Sequence, residues 1–224
     1  MSWREGENRD ELTGAYAFEA FAEAFDEATA QVDEDGGSIT LASVDIDNFK
    51  AINEQHGRDV GDEVLKRLAS GLADAAPEKR PVFRHRRDEF IVLFPNTEKE
   101  EAFLILERMR AKLEAEQSLE AEGKTATLAI PISAGVASYP EDGSRSDDVL
   151  RKAGEALHRA KTGGRNRICL PKQERMVTKT SHYTKGQLEA LAELAKRQDV
   201  GEAVLLREAL DDLMRKYPPV PRAR

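Results

Sequence analysis

Along the first 170 residues the spacing of apolar side chains switches repeatedly between helical and strand periods, and this switching constrains the fold more than any other feature. Phe18, Phe21, Ala22 and Phe25 follow a helical spacing within residues 15–30. Residues 33–37 form an acidic, glycine-ended turn, and residues 38–44 are a β-rich run. Val64, Leu65, Leu68 and Leu72 predict a helix over 60–73. Residues 82–84 and 90–94 flank a polar tip, the pattern of a β-hairpin. A long helical pattern covers 98–116, an apolar strand-like run covers 126–138, and a helix over 146–161 ends at Gly163 and Gly164. A short strand over 167–170 closes the series. The order α-β-α-β-β-α-β-α-β predicts an α/β fold with a central sheet covered by helices. No internal repeat is visible.

Charge divides the chain in two. The whole of its 224 residues carries a formal charge of −8. Residues 175–224 hold 10 Lys/Arg and 7 Asp/Glu, a net of +3, which leaves −11 for residues 1–174. Such a shift marks a domain boundary, and the polar, Pro171-containing stretch 171–176 reads as a linker. Residues 1–9 and 218–224 read as disordered ends, the latter because its prolines stop a helix. No apolar run reaches the roughly 18 residues of a membrane helix. The polar N-terminus does not resemble a signal peptide, so a cytoplasmic protein without membrane contact is expected. The lone Cys169 reads as a packed thiol.

The chemistry-bearing residues are acids. Asp45 and Asp47 end an apolar strand, where α/β folds commonly bind ligands. Asp88 and Glu89 sit at the hairpin tip. Two carboxylates converging from separate segments suit a hard cation such as Mg²⁺, which keeps open positions for substrate phosphates.

The wider strings carry a resemblance. Asp45-Ile-Asp-Asn-Phe-Lys-Ala-Ile-Asn53, Gly61-Asp62 and Arg84-His-Arg-Arg-Asp-Glu-Phe90 resemble the GGDEF family, the cyclases that make cyclic di-GMP from GTP. Asp10 with Leu12-Thr-Gly14, Ser133-Ala-Gly-Val-Ala137 with Pro140, and Ala160-Lys161 through Arg165-Asn-Arg167 extend it across residues 10–170. The resemblance implies a nucleotidyl-cyclase-like palm with a mostly antiparallel sheet. It assigns Mg²⁺ or Mn²⁺ to Asp45, Asp88 and the backbone carbonyl of Ile46. It makes Glu89 a metal ligand or the base for the 3′-hydroxyl, with Asp45 and Asp88 as its catalytic partners. Asn53 and Asp62 would read the guanine edge, and Lys50, Lys161 and Arg165 would hold phosphates.

The pattern breaks at the tip. Arg86 and Arg87 stand where the family has two glycines, removing backbone freedom and adding bulk beside the α-phosphate. Their charge offers another way to bind phosphate, so both count among the nucleotide-binding residues. Pro77 and Arg80 replace the family's product-inhibition motif, which is therefore expected to be absent. Two readings follow. One is a degenerate domain that binds GTP or a cyclic dinucleotide with little or no turnover. The other is an active diguanylate cyclase joining two GTP into cyclic di-GMP. Only about nine residues precede the domain, so an N-terminal sensor is expected to be missing.

Residues 177–217 form a second module. Residues 176–183 alternate weakly, as a short strand would. Thr184 caps a helix over 185–197, and a second helix covers 202–217. Some 40 residues bury too little core alone, so a homodimer is expected. The string Gln187-Leu-Glu-Ala-Leu-Ala-Glu-Leu-Ala-Lys-Arg197 with Leu206-Arg-Glu-Ala-Leu210 resembles ribbon-helix-helix proteins. That resemblance implies a β-ribbon in the major groove of double-stranded DNA. Thr178, Thr180 and His182 would face bases, and Lys179 and Lys185 phosphates. The combined expectation is a nucleotide-responsive, DNA-binding regulator. The alternative is a cyclase dimerised by its C-terminal module.

Overall fold

A computed structural model of the chain describes residues 9–35, 37–75, 81–121, 123–172, 181–198 and 201–217. The chain divides into two compact units, residues 1–173 and 174–224.

The first unit is built on a six-stranded sheet. Its strands are β1 (Tyr16–Ala17), β2 (Ile39–Ile46), β3 (Val82–Arg84), β4 (Glu89–Pro95), β7 (Ile132–Tyr139) and β8 (Ile168–Cys169), in the order β1-β3-β4-β2-β7-β8. The three inner pairings, β3–β4, β4–β2 and β2–β7, are antiparallel, and the two edge strands are added in parallel. Two further strands, β5 (Gln117–Ala121) and β6 (Lys124–Leu128), form a separate hairpin. The helices are α1 (Phe21–Asp35), α2 (Phe49–His56), α3 (Arg58–Asp74), α4 (Lys99–Glu114) and α5 (Ser146–Thr162).

Side chains alternate across the sheet and feed two cores. Ala42, Val44 and Ile46 of β2, with Phe90, Val92 and Phe94 of β4, pack against Val64, Leu65 and Leu68 of α3 and Ala102 and Leu106 of α4. The opposite face sends Ile39, Leu41, Ile91 and Leu93 against Phe21, Phe25 and Val32 of α1 and Val149 and Ala153 of α5. Every residue of β2 is buried, as expected for a strand covered on both faces. That is why its sequence is an apolar run rather than an alternating one.

Several expectations change. The first helix starts later than residue 15, because Tyr16 and Ala17 are drawn into an edge strand beside Phe83 and Arg84, and it runs on to Asp35, through the first part of the turn expected over 33–37. The run 126–138 is two strands in two sheets. Pro131, which has no N–H to give a ladder, separates them. The helix α2 has no counterpart in the apolar pattern, since only Ile52 on it is buried.

In the second unit α6 (Lys185–Gln198) is followed by α7 (Glu202–Lys216). Thr184 caps α6 as its sequence suggests. The Gln187 N–H donates to Thr184 Oγ1 at 3.3 Å, and the Thr184 N–H donates to Gln187 Oε1 at 2.9 Å, a reciprocal capping box. Residues 176–180 of the expected strand lie outside the described residues, and 181–183 carry no strand.

At Gly135 in β7 an added Cβ would overlap the Ala153 carbonyl oxygen and the Leu157 amide nitrogen of α5. Backbone cannot swing aside as a side chain can. Gly135→Ala is therefore expected to cost about 3 kcal/mol, read as a lower urea midpoint at unchanged slope.

Candidate functional site

The pairing of β2 with β4 sets Asp45 directly opposite Glu89. By strand alternation both point to the face covered by α1 and α5, and Ser43 points with them. Ser43 Oγ donates to Glu89 Oε1 at 2.7 Å, which fixes the orientation of that carboxylate. From α5, Lys161 Nζ reaches Asp45 Oδ2 at 2.6 Å. Burial pushes the Asp45 carboxyl up to about 6; the charges of Asp88 and Glu89 push the same way and Lys161 pulls against them. Lys161 thus lies on an acid that has two further acids, Asp88 and Glu89, close by.

The hairpin tip, residues 85–88, carries Asp88 between the strands. The Ile46 N–H donates to the Asp88 carbonyl at 3.3 Å, tying the backbones of the two acidic segments together. Arg86 and Arg87 are exposed, and neither has a positive φ. The backbone freedom of glycine is thus not needed here; what the arginines add is volume and charge. Arg84 braces the tip from below. One nitrogen of its guanidinium donates to the Arg87 carbonyl at 2.8 Å and another to Asp10 Oδ1 at 2.7 Å. Asp10 also accepts from Thr13 N–H at 2.9 Å and Thr13 Oγ1 at 2.6 Å.

The pair of acids at the end of β2 separates. Asp45 lies in the cluster, but Asp47, 2% exposed, turns away from it. It accepts Ser133 Oγ at 2.8 Å and the Asn166 N–H at 2.8 Å. The apolar strand before it does not distinguish these roles. Ser133 and Asn166 stand inside motif strings, yet nothing in one sequence marks them as its partners.

Asn53 and Asp62 lie on the helix pair α2–α3, both partly exposed. Asn53 Nδ2 donates to the Phe49 carbonyl at 3.1 Å, and its Oδ1 fills the space a Cβ on Gly61 would take. Lys50 is exposed and 3.5 Å from Glu54, and Arg165 is exposed at the end of α5. In the second unit His182 and Lys185 are exposed; Thr178, Lys179 and Thr180 lie outside the described residues.

Among the described residues, no three of His, Cys, Asp and Glu make a metal cage by themselves. Asp45 and Asp88 offer carboxylate oxygens from two segments of the chain. This donor set fits a hard divalent cation that takes its remaining ligands from water and phosphate. No described helix is long and apolar enough to cross a membrane.

Comparisons with known proteins bear mainly on the first unit, and one, over 88% of the chain, reaches into the second. Residues 7–167 match the family described as diguanylate cyclase, GGDEF domain. The chain is 36% identical to diguanylate cyclase DgcP of Pseudomonas aeruginosa over 159 residues, 71% of this chain and 23% of that protein. It is 31% identical to cyclic di-GMP phosphodiesterase NbdA of the same organism over 198 residues, 88% of this chain and 24% of that protein. It thus spans about a quarter of either relative. The GGDEF domain of DgcB from Caulobacter crescentus, solved with c-di-GMP, superposes with a TM-score of 0.66 at 31% identity. That match covers 76% of this chain and 98% of that one.

Partial burial opposes ionisation of Asp10, but the Thr13 and Arg84 hydrogen bonds outweigh it and hold the carboxyl below its ordinary 3.8. A depressed acid stabilises the fold above its unfolded pKa and loses that contribution as pH falls through the folded one. Asp10→Asn is expected to flatten the acid limb of the stability curve below about pH 4, measured by urea unfolding at stepped pH. An unchanged acid limb would refute it.

Proposed function

The chain belongs to the GGDEF family of diguanylate cyclase domains, and on that premise we propose that it binds guanine nucleotide with a divalent cation and turns it over weakly or not at all. The observation behind this is the combination at the tip. Asp45, Asp88 and Glu89 keep one another's company, while two exposed arginines stand beside them.

In this reading Asp62 and Asn53 accept and donate to the guanine edge. Lys161, Arg165 and Lys50 neutralise the triphosphate, with Arg86 and Arg87 adding to them. Mg²⁺ or Mn²⁺ held by Asp45, Asp88 and the Ile46 carbonyl would offset phosphate charge. Lys161 exchanges its Asp45 contact for phosphate as the site fills.

A second reading, an active cyclase, is favoured by the ordinary backbone of the tip and by the Ser43 bond that aims Glu89. There the 3′-hydroxyl oxygen of one GTP attacks the α-phosphorus of the GTP on a facing copy. Glu89 takes the hydroxyl proton and pyrophosphate leaves; a second such step closes the ring. Product analysis after incubation with GTP and Mg²⁺ separates the readings. Cyclic di-GMP that disappears in Asp88→Ala establishes the enzyme. GTP binding without product establishes the sensor. No GTP binding at all overturns both.

Gly61→Ala tests the base site without touching the nucleotide. The new methyl displaces the Asn53 side chain, while alanine favours the helix by up to about 1 kcal/mol. The expected result is unchanged or raised stability with GTP affinity reduced about tenfold, as one lost base hydrogen bond would give. Undiminished affinity would remove Asn53 from the base site.

The second unit is proposed as a dimeriser of ribbon-helix-helix type, with DNA as its further partner. Leu210, Leu213 and Met214 of α7 and Leu188 of α6 are each about half exposed, while Ala195 is buried. A helix pair with that much uncovered apolar surface is completed by a second copy. Leu210→Asp with Leu213→Asp is expected to convert a dimer to a monomer in sedimentation. A monomeric parent chain would contradict the proposal, and a double-stranded DNA titration reads the remaining half of it.

A further inference from the structure

We infer that Arg110, on α4, is a positioning residue for the phosphate-binding end of α5, acting through a clamp on Asn166. The inference rests on reading Arg165 as a phosphate-binding cation.

After α5 the backbone passes through three successive positive φ values: 118° at Gly164, 64° at Arg165 and 45° at Asn166. Glycine adopts such a conformation freely; two following residues with side chains do not. Left-handed backbone at non-glycine residues persists where surroundings hold it, and such places concentrate at functional sites.

The surroundings here are specific. The Asn166 N–H donates to buried Asp47 Oδ2 at 2.8 Å. Asn166 Oδ1 accepts from the Arg110 guanidinium at 3.1 Å, and Asn166 Nδ2 donates to Glu114 Oε1 at 2.6 Å. Arg110 is itself held by Glu107 at 3.1 Å and Glu114 at 2.7 Å. Glu107 also accepts the Ile168 N–H at 3.3 Å. The turn is therefore gripped by α4 and by the end of β2, on both sides of Asn166.

What the clamp presents is Arg165. Its N–H donates to the Ala160 carbonyl at 2.9 Å, its carbonyl accepts Arg167 Nε at 3.1 Å, and its side chain is left exposed just past the end of α5. Lys161 already lies on Asp45, and the next residue after Arg165, Asn166, is bonded to Asp47 just beyond it, so the Arg165 backbone sits at the same end of the sheet. Releasing Asn166 frees the Arg165 backbone to leave the left-handed region, and the guanidinium goes with it.

The test is a double-mutant cycle on the full chain, with inorganic tripolyphosphate and GTP as probes in excess Mg²⁺, read by calorimetry. Arg165→Ala is expected to weaken tripolyphosphate about tenfold. Arg110→Ala, which touches no ligand, is expected to weaken it nearly as much. The double variant is expected to be no weaker than Arg165→Ala, because both changes remove one function. Losses that multiply, or an Arg110→Ala protein with parental affinity, overturn the inference. Should Arg110→Ala not fold, Asn166→Ala takes its place in the cycle. A parent chain that binds tripolyphosphate but not GTP removes the nucleotide reading and leaves the clamp standing. One that binds neither removes both.

Discussion

Asp45 is a carboxylate at the end of a strand that has no solvent face. Helices cover β2 on both sides, so its acid is 5% exposed and its charge is paid for by little water. Its neighbours divide over that cost, Asp88 and Glu89 adding to it and Lys161 opposing it. Lys161 is drawn from α5 onto Asp45, Ser43 occupies an oxygen of the neighbouring Glu89, and the Ile46 backbone is tied to that of Asp88. Carboxylates converging from β2 and from the tip, rather than any complete cage of ligands, are the physical case for a divalent cation and for phosphate beside it.

The parts of the fold that were legible in the sequence are those with a strong period. The β3–β4 hairpin, α4, α5 and the two C-terminal helices stand where their apolar spacing puts them. The α2 helix was not legible because it buries a single residue, and residues 126–138 merged because an apolar run says nothing about which sheet it joins. At the site, the acids were legible as acids, but their division of labour was not. Asp45 and Asp47 differ by two positions and share a strand end, yet one joins the charge cluster and the other anchors a turn 119 residues later. Only a long-range partner such as Asn166 separates them, and single-sequence patterns carry no long-range information. Conversely, the sequence offers three effects for the arginine pair, lost backbone freedom, added bulk and added charge. The tip backbone avoids the left-handed region altogether, so the substitution acts through side-chain volume and charge.

The two units solve the burial problem differently. The first encloses two cores around one sheet. The second has two helices, one fully sheltered side chain among those described, and a row of leucines facing outward. Its helix start is nonetheless well specified by the reciprocal Thr184–Gln187 cap. Local structure there is set by the chain itself.

The Arg84 bridge has a mechanical side. One guanidinium joins the loop at Asp10 to the backbone of Arg87, the residue next to Asp88. A pull or twist applied to the chain ahead of Asp10 has a path of two hydrogen bonds to that acid. The length and stiffness of whatever is fused upstream of Arg9 are then mechanical loads on the tip, and an affinity tag placed there is part of the lever.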